Sequence, residues 1–241
     1  MDYAERSSIA RNKAARRLFR LMDGKQTSLA LAADLHSGKD VAKIAWKTGN
    51  DICVLKTHCD AVSGFGQITG ELKDLGKDLG FMILEDRKFA DIGEISRRQL
   101  RFINGWADFV TAHAIAGKGT IEALGKNVVI VAEMTQSGSL TKAGYRKSAI
   151  QIGESLDSTG FVLNPANKMH VNKKFAVFSP GINFSSRGDS YGQTYVSPVT
   201  AIKNGTDVII VGRGIYAAKN PAKKSREYRK ISWSALEKLR F

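Results

Sequence analysis

The chain has 241 residues, of which 43% are hydrophobic, and its formal net charge is +14 at pH 7. This composition supports a sizeable core and excludes a disordered chain, while the positive charge suits anionic ligands. No apolar run approaches the ~20 residues of a membrane-spanning helix, and the charged N-terminus lacks the apolar stretch of a signal peptide, so we expect a cytoplasmic protein with no membrane partner.

Short apolar, β-branched runs alternate with helical patterns along the chain, which is typical of βαβ units and a parallel sheet. A helix is predicted first, from about Ser8 to Met22. Eight strands are predicted at Leu29–Ala33, Ile52–Lys56, Phe81–Glu85, Phe109–Ala112, Val128–Ala132, Gly160–Leu163, Phe175–Phe178 and Val208–Val211. Helices are predicted between them at Gln67–Leu79, Ile92–Asn104, Lys142–Leu156 and Pro198–Asn204, and after them from about Lys223 to Leu239. The segment from Asn164 to Lys174 is too short for a full helix, so one crossover is predicted to be reduced.

Eight strand–helix alternations in one chain of this length favour an α/β fold of the (β/α)₈ type, a TIM barrel, with residues 1–241 as a single domain. The helix over about residues 8–22 is predicted to cover the bottom of the barrel. A dinucleotide-binding fold lacks its GxGxxG turn here, since the first strand is followed by Ala32-Ala33-Asp34-Leu35-His36. In a barrel, chemistry belongs at the carboxyl ends of the strands.

The third predicted strand runs directly into a group of charged residues. Asp86 and Lys88 are two residues apart, so an extended chain points both side chains to the same side. Asp91 follows where the chain turns into the next helix, and Lys56 ends the adjacent strand. Two lysines and two aspartates can then alternate in space, as buried charges require. These residues alone leave open whether the group is catalytic or a salt-bridge ring that stabilises the barrel mouth.

Residues after the seventh and eighth predicted strands indicate a phosphate site, because these loops commonly hold phosphate in such barrels. In Val211-Gly212-Arg213-Gly214, glycines allow close backbone approach and the arginine can bind phosphate through two hydrogen bonds. The loop from Gly181 to Tyr195 carries Gly188 and Gly192 and is long enough to close over a ligand. Each segment alone could be a simple turn, but their neighbouring positions favour a phosphate site.

The basic termini and the two cysteines have structural interpretations. The basic residues concentrate in two segments: Arg6, Arg11, Lys13, Arg16, Arg17 and Arg20, then Lys219, Lys223, Lys224, Arg226, Arg229 and Lys230. Because these segments lack interleaved aromatic residues and any nucleic-acid motif, we interpret them as solvated helix faces and keep nucleic-acid binding as a secondary possibility. Cys53 and Cys59 match no usual zinc spacing, and His58 with Cys59 lacks a complementary Cys/His pair, so we predict no metal.

Six segments resemble, in the right order, the family of orotidine monophosphate decarboxylases, particularly its eukaryotic-type branch. They are CVLKTH, FMILEDRKFADIG, Ala132–Leu140 (AEM–GSL), SPG, Gly188–Tyr195 (GD–GQ–Y) and IIVGRGI. The similarity runs in register over roughly Leu18 to Leu239. It implies that the chain converts orotidine 5'-monophosphate to uridine 5'-monophosphate and carbon dioxide in pyrimidine nucleotide synthesis, without a metal or organic cofactor.

The resemblance also implies roles by position. The residues that match the family's catalytic network are Lys56, Asp86, Lys88 and Asp91. Lys88 is expected to protonate C6 as carbon dioxide leaves, Asp86 to lie beside the substrate carboxylate, and Lys56 to bridge ribose hydroxyls and Asp86. Substrate-binding positions are Asp34 and His58 at the ribose, Thr135 and Pro180 at the pyrimidine, Gln193, Tyr195, Gly212 and Arg213 at the phosphate, and Ile92. Asp91 and Ile92 are expected to come from a second subunit, which implies a homodimer.

Three positions depart from the family pattern. Thr135 replaces the usual serine, keeping the hydroxyl but adding a methyl, which predicts a slightly tighter base pocket. Ile95 stands where a threonine contacts ribose across the dimer, and Glu94 replaces an asparagine beside it. One cross-subunit hydrogen bond is therefore in doubt.

Two other functions compete with decarboxylation. A hexulose-phosphate synthase or pentose-phosphate epimerase uses a related barrel, and the synthase shares DxKxxD, but it needs magnesium and a sugar phosphate. Lys56 and the Gly181–Tyr195 loop argue against it. The second alternative is a basic nucleic-acid-binding protein built on a barrel that has lost its catalytic activity. The intact charge network argues against such a loss of activity.

Overall fold

The fold is a closed parallel barrel, seen in a computed structural model that describes residues 1–125, 127–184 and 195–239. Each strand pairs with the next, and β1 also pairs with β8, so the sheet has no free edge. The strands are β1 (Leu29–Ala32), β2 (Val54–Thr57), β3 (Met82–Phe89), β4 (Phe109–His113), β5 (Val128–Val131), β6 (Gly160–Val162), β7 (Ala176–Ser179) and β8 (Val208–Val211). The predicted (β/α)₈ barrel is confirmed.

Helices surround this barrel. They are α1 (Tyr3–Ile9), α2 (Lys13–Lys25), α3 (Gly38–Thr48), α4 (Thr69–Leu79), α5 (Gly93–Leu100), α6 (Lys118–Leu124), α7 (Ala143–Ser155), α8 (Pro198–Lys203), α9 (Arg213–Tyr216) and α10 (Pro221–Glu237). Short 3₁₀ helices cover Cys59–Ala61 and Phe65–Ile68. The connection over residues 163–175 contains turns but no helix, so the predicted reduced crossover is found. Within the described residues, no helix is long and apolar enough to cross a bilayer.

The N-terminal segment is two helices where one was predicted over about Ser8–Met22. Ala10 adopts an extended conformation and ends α1, and the Asn12 side chain caps α2 by accepting hydrogen bonds from the N–H groups of Ala14 and Ala15. Asparagine is among the best N-cap residues, so Asn12 was the overlooked sign of a new helix start. Arg6, interpreted from the sequence as part of a solvated helix face, is instead buried, and its guanidinium anchors α1 by pairing with Asp207 at the base of β8.

Side chains alternate along each strand between the barrel interior and the outer helices. The interior cluster includes Ala30, Val54, Met82, Phe109, Val129, Phe178 and Val208. Apolar residues of α2 such as Leu18, Phe19 and Met22 belong to the same buried cluster. This shared core supports the proposals that α2 covers the bottom of the barrel and that the chain is a single domain.

Candidate active site

A cavity of about 370 Å³ lies at the carboxyl ends of the strands. Its floor is the last apolar layer of the barrel, which includes Ala32, Leu84, Val131 and Ile210. Residues two positions further along a strand point to the same side as these apolar residues. The residues at those positions that line the cavity are Asp34, Lys56, Asp86, Thr111, Glu133, Pro180 and Gly212. The alternation that builds the core therefore also places a polar layer directly above it.

Four charged residues meet on one wall of the cavity. Lys56 Nζ lies 2.9 Å from Asp34 Oδ1 and 3.4 Å from Asp86 Oδ2. Lys88 Nζ lies 2.8 Å from the same Oδ2 of Asp86. Lys56 is only 6% exposed, so a buried ammonium is shared between two carboxylates, and the Asp86 carboxylate is shared between two ammonium groups. Buried charges persist when they are paired in this way.

The surroundings keep Asp86 and Lys56 charged. Burial acts to raise the pKa of Asp86, but Lys56, Lys88 and His58 outweigh it and lower that pKa to about 2. Burial acts to lower the pKa of Lys56, but Asp86 and Asp34 outweigh it and the pKa is raised. Burial and the Lys56 charge lower the pKa of His58, whose Nε2 lies 3.4 Å from Asp86 Oδ2. At neutral pH an aspartate anion and a lysine cation therefore line the cavity, and a neutral imidazole lies beside the aspartate.

A β-bulge brings Lys88 to Asp86. From Glu85 to Phe89, β3 advances four residues, while its partners Val110 and Ala112 on β4 are two apart. Lys88 has φ of +51°, a left-handed conformation that is uncommon for residues other than glycine. We predicted that a plain extended strand would bring Asp86 and Lys88 to the same side. The two side chains do meet, but through an irregular backbone that pattern alone does not reveal.

Thr111 is a cavity residue that the sequence reasoning missed. Its hydroxyl donates to Asp86 Oδ1 at 2.7 Å and accepts from the backbone N–H of Lys88 at 2.9 Å. The missed signal is its position two residues after Phe109, which points into the barrel interior. Thr111 lies within β4, so it is not among the residues that follow the strands.

Another part of the cavity contains three of the predicted phosphate residues. Tyr195, Gly212 and Arg213 line it, and a guanidinium N–H of Arg213 donates to the Tyr195 hydroxyl at 2.6 Å. Thr135 and Pro180 line the same cavity, and their contact with a pyrimidine stays a prediction. Gln193, together with Gly188 and Gly192 of the predicted closing loop, lies outside the described residues. The cavity thus brings together a charge network and an arginine whose guanidinium lies beside a tyrosine hydroxyl.

Asp91 and Ile92 lie apart from this cavity. Asp91 is exposed, its carboxylate accepts the backbone N–H of Ile92, and its carbonyl accepts hydrogen bonds from Ser96 and Thr120. The expectation that Asp86 and Asp91 alternate in space with the two lysines is therefore wrong within one chain. The second carboxylate of the network is instead that of Asp34. The cause is the chain direction after Phe89, where β3 ends.

One group among the described residues has metal-ligand chemistry. Ligand atoms of His58, Asp60 and Glu85 lie within 4.8 Å of one another. Glu85 already accepts hydrogen bonds from the Thr57 hydroxyl and the Cys59 backbone N–H, and Asp60 lies 3.5 Å from Arg87. These contacts account for the group without an ion, and the expected absence of a metal stays a prediction.

The fold and the cavity define a (β/α)₈-barrel protein with a paired charge network and an arginine at the carboxyl rim. The model of the Orotidine 5'-phosphate decarboxylase / HUMPS family matches residues 27–228. The chain is 36% identical over 256 residues to orotidine 5'-phosphate decarboxylase of Phycomyces blakesleeanus, covering 99% of this chain and 96% of that protein. It is 37% identical to the enzyme of that name from Rhizopus oryzae, covering 98% of this chain and 96% of that protein. The chain belongs to this family, which confirms the resemblance.

Two further comparisons agree. The chain is 37% identical to bovine uridine 5'-monophosphate synthase, covering 92% of this chain and 49% of that protein. The crystal structure of orotidine 5'-phosphate decarboxylase from Pyrococcus horikoshii OT3 superposes with a TM-score of 0.69 at 25% identity, covering 87% of this chain and 99% of that one. Both support the barrel fold over most of the chain.

The buried Glu85 carboxyl gives a prediction about pH. Burial raises its pKa to about 7 from an ordinary 4.5, against the lowering effects of the Thr57 and Cys59 hydrogen bonds. Between these values the unfolded chain ionises Glu85 while the folded chain keeps it protonated, so rising pH favours unfolding. Glu85→Gln should remove this contribution, and its free energy of unfolding should rise relative to wild type from pH 4.5 to 7.

Urea unfolding across this pH range measures the effect. Glu94→Gln, at an exposed position on α5, is the matched control and should leave the wild-type pH dependence unchanged. If Glu85→Gln and wild type show parallel pH dependence, the Glu85 carboxyl is ionised in the folded protein and its assignment is wrong.

Proposed function

We propose that this chain converts orotidine 5'-monophosphate to uridine 5'-monophosphate and carbon dioxide, with Lys88 donating the proton that C6 receives. The observation that carries the proposal is the Asp86 carboxylate held between two ammonium groups in the cavity that also contains Arg213. The names of the fungal relatives support the reaction.

The chemistry requires this kind of electrostatic environment. When the C6–carboxylate bond breaks, its electron pair stays on C6 in an sp² orbital orthogonal to the ring π system. Since resonance cannot spread that charge, a cation fixed nearby must stabilise it. Preorganised charge in a site shielded from water is the most effective way to lower such a barrier. Lys88, fixed by its 2.8 Å contact with Asp86, fits this role.

Lys88 then completes the reaction. One Nζ proton moves to C6 as carbon dioxide leaves, and the resulting neutral amine regains a proton from water. Asp86 holds the ammonium in place through their 2.8 Å contact, and its repulsion of the substrate carboxylate is relieved when carbon dioxide departs. All the groups needed for these steps are side chains of the protein, so the proposed mechanism uses neither a metal nor an organic cofactor.

The remaining site residues bind parts of the substrate other than the reacting carbon. The phosphate is proposed to bind to Arg213, Tyr195 and Gly212, with Gln193. The ribose is proposed to contact Asp34, Lys56 and His58, and the pyrimidine is proposed to contact Thr135 and Pro180. The phosphate carries no reacting bond, so its binding energy can order the site around C6. The cytoplasm stays the predicted location of this reaction.

Replacement of Lys88 tests the proposed proton donor. The absorbance change of orotidine 5'-monophosphate should report turnover by the wild-type protein with a chelator present. Lys88→Ala should lower kcat by at least about 10³-fold, because it removes both the stabilising charge and the proton source. Circular dichroism should show that the variant remains folded. Turnover near the wild-type rate in Lys88→Ala would refute the role.

Two variants control this experiment. Arg87→Ala removes a neighbouring cation that pairs with Asp60 and should retain activity. Arg213→Ala should mainly raise KM, by roughly 10- to 100-fold, because it removes charge-assisted hydrogen bonds to the phosphate. An unchanged KM would show that the phosphate assignment is wrong. Loss of wild-type turnover in chelator would instead favour the magnesium-dependent alternative.

The second part of the proposal is a homodimer in which Asp91 and Ile92 reach the partner's site. Large apolar side chains are exposed around α5 and beyond β4, with Ile92 64%, Phe102 85% and Ile115 70% exposed. Exposed apolar groups of this size are typical of protein interfaces. Asp91 follows β3 at the carboxyl rim, where it can add a carboxylate beside a neighbouring Lys88.

Sedimentation measurements on Ile92→Glu test the dimer. A buried glutamate at the interface should shift the protein from dimer to monomer and reduce kcat, since each site loses the partner's Asp91. Trp46→Glu, at an exposed apolar position on α3, is the control and should stay dimeric. A wild-type protein that sediments as a fully active monomer would contradict this part of the proposal.

A further inference from the structure

We infer that Thr111 is a positioning residue for the reaction: its hydroxyl fixes the Asp86 carboxylate and the Lys88 backbone at once, so that the Lys88 ammonium points at the reacting carbon. The inference rests on the proposed function. It assigns a task to a side chain that makes no part of the mechanism above. Thr111 is 1% exposed and lines the cavity between β3 and the β5 wall.

The two oxygens of Asp86 have separate partners. Oδ2 faces the ammonium groups of Lys56 and Lys88, at 3.4 and 2.8 Å, and His58 Nε2 at 3.4 Å. Oδ1 accepts the hydroxyl of Thr111 at 2.7 Å. A carboxylate rotates easily about its Cβ–Cγ bond when only one oxygen is held. The Thr111 hydrogen bond therefore decides which oxygen faces the lysines.

The same hydroxyl holds the backbone of Lys88. The N–H of Lys88 donates to Thr111 Oγ1 at 2.9 Å, within the bulge where the ordinary β3–β4 ladder is interrupted. Lys88 there has φ of +51°. Such a conformation persists only where the surroundings determine it, and this N–H would otherwise lack its ladder partner. Thr111 supplies that partner from β4.

One hydroxyl thus links the two ends of the ion pair. Donating to Asp86 and accepting from Lys88 uses both of its hydrogen-bonding functions, so the directions of the two contacts are fixed together. Loss of the hydroxyl should let the carboxylate rotate and the Lys88 backbone relax, moving Nζ away from its 2.8 Å contact with Asp86. Gly212 follows β8, Arg213 begins α9 and Tyr195 precedes α8, all away from the β3–β4 pairing, so anion binding should be spared.

Three variants separate positioning from a general structural role. Thr111→Val keeps the shape but removes the hydroxyl, and Thr111→Ser keeps the hydroxyl. Thr27→Val is the matched control. The buried Thr27 hydroxyl also donates one hydrogen bond, to the backbone carbonyl of Asp51, and accepts one, from the backbone N–H of Leu29, but it lies outside the cavity. Thr111→Ala replaces the valine variant if valine prevents folding.

The expected result is a split between rate and binding. Thr111→Val should lower kcat by about 10- to 100-fold, the cost of misplacing a reacting group by roughly an ångström. KM and the Kd for uridine 5'-monophosphate should change by less than about threefold, and Thr111→Ser should restore most of the rate. Wild-type kcat in Thr111→Val, or an equal loss in Thr27→Val, would overturn the inference.

Crystal structures of the variants give a readout that does not depend on activity. The contact between Lys88 Nζ and Asp86 Oδ2, 2.8 Å in the wild type, should be lost in Thr111→Val and kept in Thr111→Ser and Thr27→Val. An unmoved Lys88 in Thr111→Val would reject the positioning role even if the chain catalyses another reaction. Absence of wild-type decarboxylation would reject the proposed function alone.

Discussion

The site depends on one largely buried carboxylate, Asp86, held between the ammonium groups of Lys56 and Lys88. Transfer of an ion from water to a protein interior costs several kcal/mol, so such an anion survives only where cations are held close to it. Those cations come from β2 and from the end of β3, and Asp34 after β1 balances Lys56 in turn. Parallel pairing of β1 with β2 and of β2 with β3 brings these three strand ends to one rim.

The barrel and most of the site could be predicted because they follow from local pattern. The apolar runs mark all eight strands, and the alternation inside each strand places Asp34, Lys56 and Asp86 above the interior core. The break before Asn12 was missed because helical periodicity continues across it, while the cap residue interrupts the backbone. Sequence pattern therefore predicts structure reliably where a single strand or helix determines the position of a side chain.

The remaining features depend on more than one segment. The bulge at Lys88 exists because β3 and β4 pair out of step, which a single strand does not encode. Thr111 acquires its task only across that pairing. Asp91 turns away from its own cavity, so any role for it depends on a second chain. The chemistry-bearing residue types were visible in the sequence, but the contacts that orient them were not.

A double-mutant cycle measures the central interaction most directly. Urea unfolding of wild type, Lys56→Met, Asp86→Asn and the double variant gives the coupling free energy between the two side chains. Each single replacement leaves a buried charge without its main partner and should cost about 3–5 kcal/mol, whereas the double variant should recover at least about 2 kcal/mol of the summed loss. Additive losses, within about 0.5 kcal/mol, would contradict the account, because Asp86 and Lys56 would then not compensate each other.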